Sequence, residues 1–338
     1  MKTALRAADR SGVLEAARII RNGGLAAFPT ETVYGLGADA ANETAVGKIY
    51  TVKGRPPDNP LILHICDVSQ FYGCTEQTPD YCGALISAVW PGPLTVVALK
   101  KNSVPAWGTA GLPTIAIRMP SNETARLLIE YAQTPIYAPS ANVSGRPSPT
   151  SARHVLQDLD GKIDIILDGG PCACGLESTV IDVSGDLPRV LRPGFITADM
   201  IYAKIGFYPE TEHPLGKPKS PGMKYAHYAP KAELTVINGS PERAAALINE
   251  RAGVEEKRVG ILATDQTIDM YDKSKYFVLN AGDRSNAELI GANLFAALRA
   301  FDDKGVDIIY AEGIADAGVG SAVMDRLKKA AGGRVIEV

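Results

Sequence analysis

The chain has 338 residues, with 35 Lys and Arg against 38 Asp and Glu, so its formal net charge is −3. Its 46% hydrophobic and 22% charged residues are ordinary for a globular protein and exclude a disordered, collagen-like or coiled-coil chain. The length suits two domains with separate cores, no apolar run nears the roughly 18 residues that span a bilayer, and the mildly acidic balance restricts any polyanion to a local patch.

The first ten residues, Met1 to Arg10, hold no apolar segment, so no secretory signal is expected and the reading is cytoplasmic. Ser11 is positioned to cap an amphipathic helix carrying Val13, Leu14, Ala17 and Ile20, which Gly23-Gly24 stops. Leu25–Phe28 then reads as a buried strand, followed by strand-like runs at 61–65, 94–99, 114–117, 136–138, 163–167 and 179–183. Helical patterns lie between several of them, notably at 80–89 and 122–131. This alternation defines an α/β domain over 1–206.

Residues 207–231 differ. Pro209, Pro214, Pro218, Pro221 and Pro230 forbid a continuous helix or central strand. Met223, Tyr225, His227 and Tyr228 are costly to leave in water, so this linker is expected to pack onto something. Alternation resumes over 232–338, with strands at 234–237, 259–263, 277–279, 307–311 and 335–338. Helices are expected from the Ser240-Pro241-Glu242 cap to Asn249, over 286–301 with Leu289, Leu294, Leu298 and Phe301 on one face, and over 321–330. The rhythm is that of a small parallel, doubly wound sheet.

Cys66, Cys74, Cys82, Cys172 and Cys174 are odd in number and irregularly spaced, which fits reduced thiols rather than a disulfide framework. Cys172-Ala173-Cys174 is not a Cys-x-x-Cys pair, and the four histidines never occur as His-x-x-x-His, so no structural metal is implied. There is no Gly-x-x-x-x-Gly-Lys-Ser/Thr loop. Gly35-Leu36-Gly37-Ala38-Asp39-Ala40 matches a dinucleotide-binding pattern, but six residues separate it from the preceding strand and no acidic residue follows at the required distance.

Three stretches place polar groups where the scaffold does not need them. Pro29–Gly37 (PTETVYGLG) follows a buried strand, where α/β proteins collect ligands, although an ordinary Thr/Gly turn reads equally well. In Lys53–His64 (KGRPPDNPLILH), Lys53 and Arg55 point the same way if the segment is extended and could then converge on one anion, although most such pairs are simply solvated surface. Ala138–Thr150 (APSANVSGRPSPT) brings serines, an Asn and an Arg to a helix N-terminus, the makings of an anion cradle or simply a Ser/Pro-rich connection. Arg118 ends an apolar strand, where it costs free energy unless paired with a carboxylate or phosphate, and Arg192 follows another strand, although a strand-end arginine usually just reaches water. Four cations at element ends of an acidic chain suit an anionic substrate such as a nucleoside triphosphate.

These stretches, together with Trp90–Thr95 (WPGPLT), Gly175–Asp182 (GLESTVID), Arg192–Gly194 and Ser220–Pro230 (SPGMKYAHYAP), resemble the YrdC-type threonylcarbamoyl-AMP synthase family in its long form. The resemblance implies a twisted mixed-sheet α/β domain followed by a smaller Rossmann-like parallel α/β domain. It implies that L-threonine, bicarbonate or CO2, and ATP, with Mg2+ arriving on the ATP, give threonylcarbamoyl-adenylate and pyrophosphate. The product would pass to a transfer complex acting on adenosine 37 of tRNA, with no direct tRNA binding required and no membrane. By matched position, Lys53 and Arg55 would hold the triphosphate and be the catalytic cations. Asn59, Ser140, Asn142, Ser148, Arg192 and Tyr228 would complete the ATP site. Thr32, His64, Arg118 and Ser178 would bind threonine, with Arg118 on its carboxylate, and Tyr225, His227 and Tyr228 would form a lid. The resemblance assigns Cys172 and Cys174 nothing. Two other readings of the same residues are an RNA-binding module and a carbamoyltransferase relative using carbamoyl phosphate.

Overall fold

The computed structural model describes residues 2–210 and 228–338. Two compact units emerge. One holds 2–144, 148–173 and 177–210; the other holds 145–147, 174–176 and 228–338.

The first unit is built on ten strands: β1 (Ala4–Ala7), β2 (Ala26–Phe28), β3 (Gly35–Asp39), β4 (Ile62–His64), β5 (Leu94–Leu99), β6 (Thr114–Arg118), β7 (Ile136–Tyr137), β8 (Ile165–Asp168), β9 (Thr179–Asp182) and β10 (Arg189–Arg192). They form one sheet in the order β1-β8-β2-β3-β7-β4-β6-β5-β9-β10. It is mixed: β6 runs parallel to β4 and antiparallel to β5, which runs parallel to β9.

Period-two alternation sorts the side chains onto the two faces. On β2, Ala27 enters the larger core while Ala26 and Phe28 enter a second core with Val13, Ala17 and Ile20 of the helix Arg10–Arg21. On β5 and β6, Val96, Ala98, Ile115 and Ile117 face the larger core. The opposite face there carries a small cluster of strand residues alone: Ile62, Val97, Ala116, Val180 and Leu191. By the same alternation His64, Thr95 and Arg118 share that opposite face, so the helices leave it to polar side chains.

Several expectations need correcting. Asp9, not Ser11, caps the first helix, its carboxylate accepting from Gly12 N at 2.8 Å, and Leu14 is exposed. Gly35 and Gly37 belong to a strand paired with β2, not to a ligand loop or a turn. A Cβ on Gly37 would lie 2.8 Å from the Phe28 ring and 2.7 Å from Ile136, so close packing explains that glycine. Strands β1 and β3 were not anticipated, nor was the helix Glu43–Lys53.

The second unit is a five-stranded parallel sheet: β11 (Glu233–Asn238), β12 (Val259–Ala263), β13 (Phe277–Asn280), β14 (Ile308–Glu312) and β15 (Val335–Glu337), ordered β13-β12-β14-β11-β15. Ser240 caps the helix Pro241–Gly253 as its sequence dictates, with proline at the first helical turn, where its missing N–H costs nothing. The helix Ala287–Lys304 buries Leu294, Leu298 and Phe301 but leaves Leu289 exposed. The turn at Gly318–Ser321 opens the helix Val319–Ala330. Tyr228 is buried in this unit, its ring 5.1 Å from that of Phe295 and beneath the Arg326 guanidinium at 5.7 Å. Tyr225 and His227 lie outside the described residues.

Candidate active site at one end of the large sheet

Strand register builds a polar row. His64 at the end of β4 pairs with Arg118 at the end of β6, which pairs with Thr95 on β5. Thr95 pairs with Val180 on β9, and so does Arg192 at the end of β10. Ser178, directly before β9, places its hydroxyl 2.7 Å from that of Thr95 and accepts from Arg192 Nη2 at 3.2 Å. Arg192 Nε and Nη2 also donate to the Ser178 carbonyl at 3.1 and 3.0 Å. Thr32, on the loop from β2 to β3, accepts from Arg118 Nη1 at 2.7 Å. The structure thus brings Thr32, His64, Arg118, Ser178 and Arg192 together, all of them buried.

Arg118 does not reach water but is buried with an anionic partner: Glu31 Oε1 lies 2.7 Å from Nη2. Burial pushes the Glu31 carboxyl up, but the Arg118 charge, helped by the backbone N–H groups of Glu31 and Ser121, outweighs it and holds the group below the ordinary carboxylate range.

His64 is neutral. Burial and the repulsion of Arg118 lower its pKa from 6.5 to about 3, against the opposing pull of the Ile62 carbonyl and Glu31. Its Nδ1 lies 3.2 Å from the Ile62 carbonyl, which only accepts, so Nδ1 carries the proton and Nε2 keeps a lone pair. The folded protein therefore binds fewer protons than the unfolded chain between about pH 3 and 6.5, and stability is lost as pH falls through that window. His64→Gln removes this linkage. Urea unfolding should show the variant losing less stability than the parent on acidification, by about 1.4 kcal/mol per pH unit below the unfolded pKa.

The second constellation lies on two loops. Lys53 is the last residue of the helix Glu43–Lys53, and Gly54 ends that helix in the left-handed conformation at φ 60°. The segment is therefore not extended, so strand alternation does not set the directions of Lys53 and Arg55. Lys53 is buried, with Nζ donating to the carbonyls of Ser140 and Asn142, both at 2.5 Å. Arg55 turns onto its own loop, Nη2 donating to Asn59 Oδ1 and to the Pro60 carbonyl, both at 2.7 Å. Ser140 Oγ donates to Asn142 Oδ1 at 2.5 Å, and Ser148 Oγ to Glu177 Oε1 at 2.5 Å. Among the described residues no three His, Cys, Asp or Glu side chains gather as a metal cage.

Glu31, Thr95 and Glu177 were missed as site residues. Each sits inside a motif already singled out, and each is a polar residue within or close to an apolar strand, the signal that would have found it. Gly194 has a backbone reason: a Cβ there would lie 2.3 Å from Thr179 N. Gly194→Ala should force Ser178 and Thr179 away from Arg192, costing about 1–3 kcal/mol and weakening ligand binding, read by thermal unfolding and threonine titration.

Comparison with known proteins is consistent along the chain. The Sua5/YciO/YrdC family described as "telomere recombination" matches residues 18–194, and the threonylcarbamoyl-AMP synthase C-terminal domain matches 196–332. The threonylcarbamoyl-AMP synthase of Bacillus subtilis is 49% identical over 96% of this chain and 94% of its own length. That of Pyrococcus abyssi is 48% identical over 96% and 95%. The structure of P. abyssi Sua5 complexed with L-threonine superposes with a TM-score of 0.91 at 44% identity, covering 100% of this chain and 99% of that one. No helix among the described residues is long and apolar enough to cross a membrane. The chain belongs to the threonylcarbamoyl-AMP synthase family, enzymes that make an adenylate, in the form that carries both domains.

Proposed function

We propose that this protein condenses L-threonine, bicarbonate or CO2, and ATP into threonylcarbamoyl-adenylate and pyrophosphate, for transfer by other proteins to adenosine 37 of tRNA in the cytoplasm. The observation that carries the reading is the buried row of Thr32, His64, Arg118 and Ser178, which offers a guanidinium, an imidazole lone pair and two hydroxyls within one strand-end cluster. That set matches a small hydroxylated amino acid, with Arg118 taking the carboxylate and the hydroxyls and imidazole the side chain. The threonine complex of the P. abyssi relative supports the choice.

The threonine amine adds to CO2 and releases a proton, giving a carbamate. A carbamate oxygen then attacks the α-phosphorus of ATP; the bond from that phosphorus to its bridging oxygen breaks, and pyrophosphate leaves. The difficulty is repulsion between two anions, which fixed positive charge reduces. Arg55 and Arg192 supply such charge, with Asn59, Ser140, Asn142 and Ser148 holding the nucleotide. Lys53 adds buried positive charge and fixes the Ser140–Asn142 carbonyls, so it acts largely through that loop. No protein nucleophile is needed, and catalysis is positioning plus neutralisation. ATP enters as its Mg2+ complex, the ion offsetting phosphate charge. The test is incubation with labelled threonine, bicarbonate and ATP. Pyrophosphate release requiring all three, with the labelled adenylate seen by mass spectrometry, supports the reading; turnover on carbamoyl phosphate without threonine, or RNA binding without turnover, contradicts it.

A further inference from the structure

Glu31 is an uncommon carboxylate. Its side chain is only 10% exposed, and that of Arg118 beside it only 5%. Apart from the 2.7 Å approach of Oε1 to Arg118 Nη2, its oxygens feel only the nearby backbone N–H groups of Glu31 and Ser121, none of them aligned as a hydrogen bond. Arg118 is equally underused. Nη1 is committed to Thr32, and Nε has no partner. A buried Arg–carboxylate pair that served stability alone would close as a two-bond fork, because each unsatisfied buried atom costs free energy. Here one negative and one positive group lie side by side, each with an unspent atom, next to the hydroxyl of Thr32 and near the imidazole of His64. An α-amino acid presents the mirror arrangement, an ammonium and a carboxylate on one carbon.

Resting on the threonine reading above, we propose that Glu31 is a positioning residue that recognises the substrate's α-ammonium. In the free protein it holds Arg118. When the substrate carboxylate takes the Nε and Nη2 edge, the Glu31 carboxylate turns to the ammonium. The charge count of the buried site is then unchanged by binding, because a zwitterion adds no net charge. The same exchange explains why Glu31 holds the guanidinium through one oxygen: a two-bond fork would resist displacement. The site would thus select amino acids over hydroxy acids of the same shape.

The test compares L-threonine with the 2,3-dihydroxybutyrate of matching configuration, which keeps the carboxylate and side-chain hydroxyl but replaces the ammonium with a hydroxyl. Binding of each is measured by calorimetry, with ATP binding as a check that the fold is intact. The parent should prefer threonine by about tenfold or more, the scale of one charge-assisted hydrogen bond. Glu31→Gln should bring the two ligands to within about twofold, whereas a purely structural role would weaken both alike and keep the ratio. An unchanged ratio in that variant overturns the proposal. If Glu31→Gln does not fold, Glu31→Asp keeps the charge beside Arg118 but withdraws it by one methylene. A several-fold fall in preference then supports the proposal, and an unchanged preference overturns it. A parent protein that binds neither ligand would contradict the threonine reading itself, a result distinct from either of these.

Discussion

Arg118→Met is expected to abolish threonine-dependent pyrophosphate release, lowering it at least about a hundredfold, and to destabilise the protein as well. Turnover falls because the guanidinium is what holds the substrate carboxylate, and stability falls because it is buried as the counter-charge of Glu31. Removing one member of a buried pair leaves the other as an uncompensated charge, which costs about 3–5 kcal/mol. The Glu31 carboxyl, now held below its ordinary range chiefly by Arg118, should then rise, with only the backbone N–H groups of Glu31 and Ser121 opposing burial, and take up a proton at higher pH. The two effects separate in a double variant. Glu31→Gln combined with Arg118→Met removes both charges and should recover most of the lost stability, because a neutral pair of similar volume carries little penalty. It should not recover turnover, since nothing remains to hold the substrate carboxylate. Urea unfolding and a pyrophosphate assay on the four proteins of this cycle give the answer. Turnover within about threefold of the parent in Arg118→Met would remove the arginine from the substrate site.

Lys53→Met should act through the loop that its side chain holds. Lys53 is 2% exposed, and its ammonium donates to two carbonyls at 2.5 Å. Methionine keeps the volume and strands both acceptors, at about 1–3 kcal/mol for each one left unsatisfied. The Ser140–Asn142 backbone should then shift, carrying the two nucleotide-site side chains with it. The expected result is a loss of about 2–5 kcal/mol in stability and a rise of tenfold or more in the ATP concentration needed for half-maximal turnover. Threonine affinity, set on the strand ends, should change little. Lys53→Arg should not rescue, because a planar fork cannot reproduce a compact ammonium between two carbonyls. Unchanged ATP dependence in Lys53→Met would show that the loop does not carry the nucleotide.

Much of this was legible beforehand, for physical reasons. The runs at 94–99, 114–117 and 179–183 are mostly apolar and rich in β-branched residues, so their strands emerge to within one residue of that reading, and Ser240-Pro241 marks its helix start by capping chemistry alone. Strand β3 was hidden because its two glycines resemble a ligand loop, whereas they are there to let Phe28 and Ile136 approach. The helix Glu43–Lys53 was hidden because its apolar periodicity is weak, and with it went the true direction of Lys53. Arg118 announced its need for an anion by sitting at the end of an apolar strand. Which anion is a tertiary fact: Glu31 is 87 positions away in the chain by the difference 118 − 31, and only the register of β4, β6 and the loop before β3 brings it there.

The central claim is that the strand-end row seats the amino acid through Arg118, and a crystal structure of the protein with L-threonine tests it most directly. The account predicts the substrate carboxylate within hydrogen-bond reach of the Arg118 guanidinium, with its hydroxyl among Thr32, His64 and Ser178. Threonine bound elsewhere, or Arg118 still paired to Glu31 with the ligand's carboxylate turned away, would contradict it.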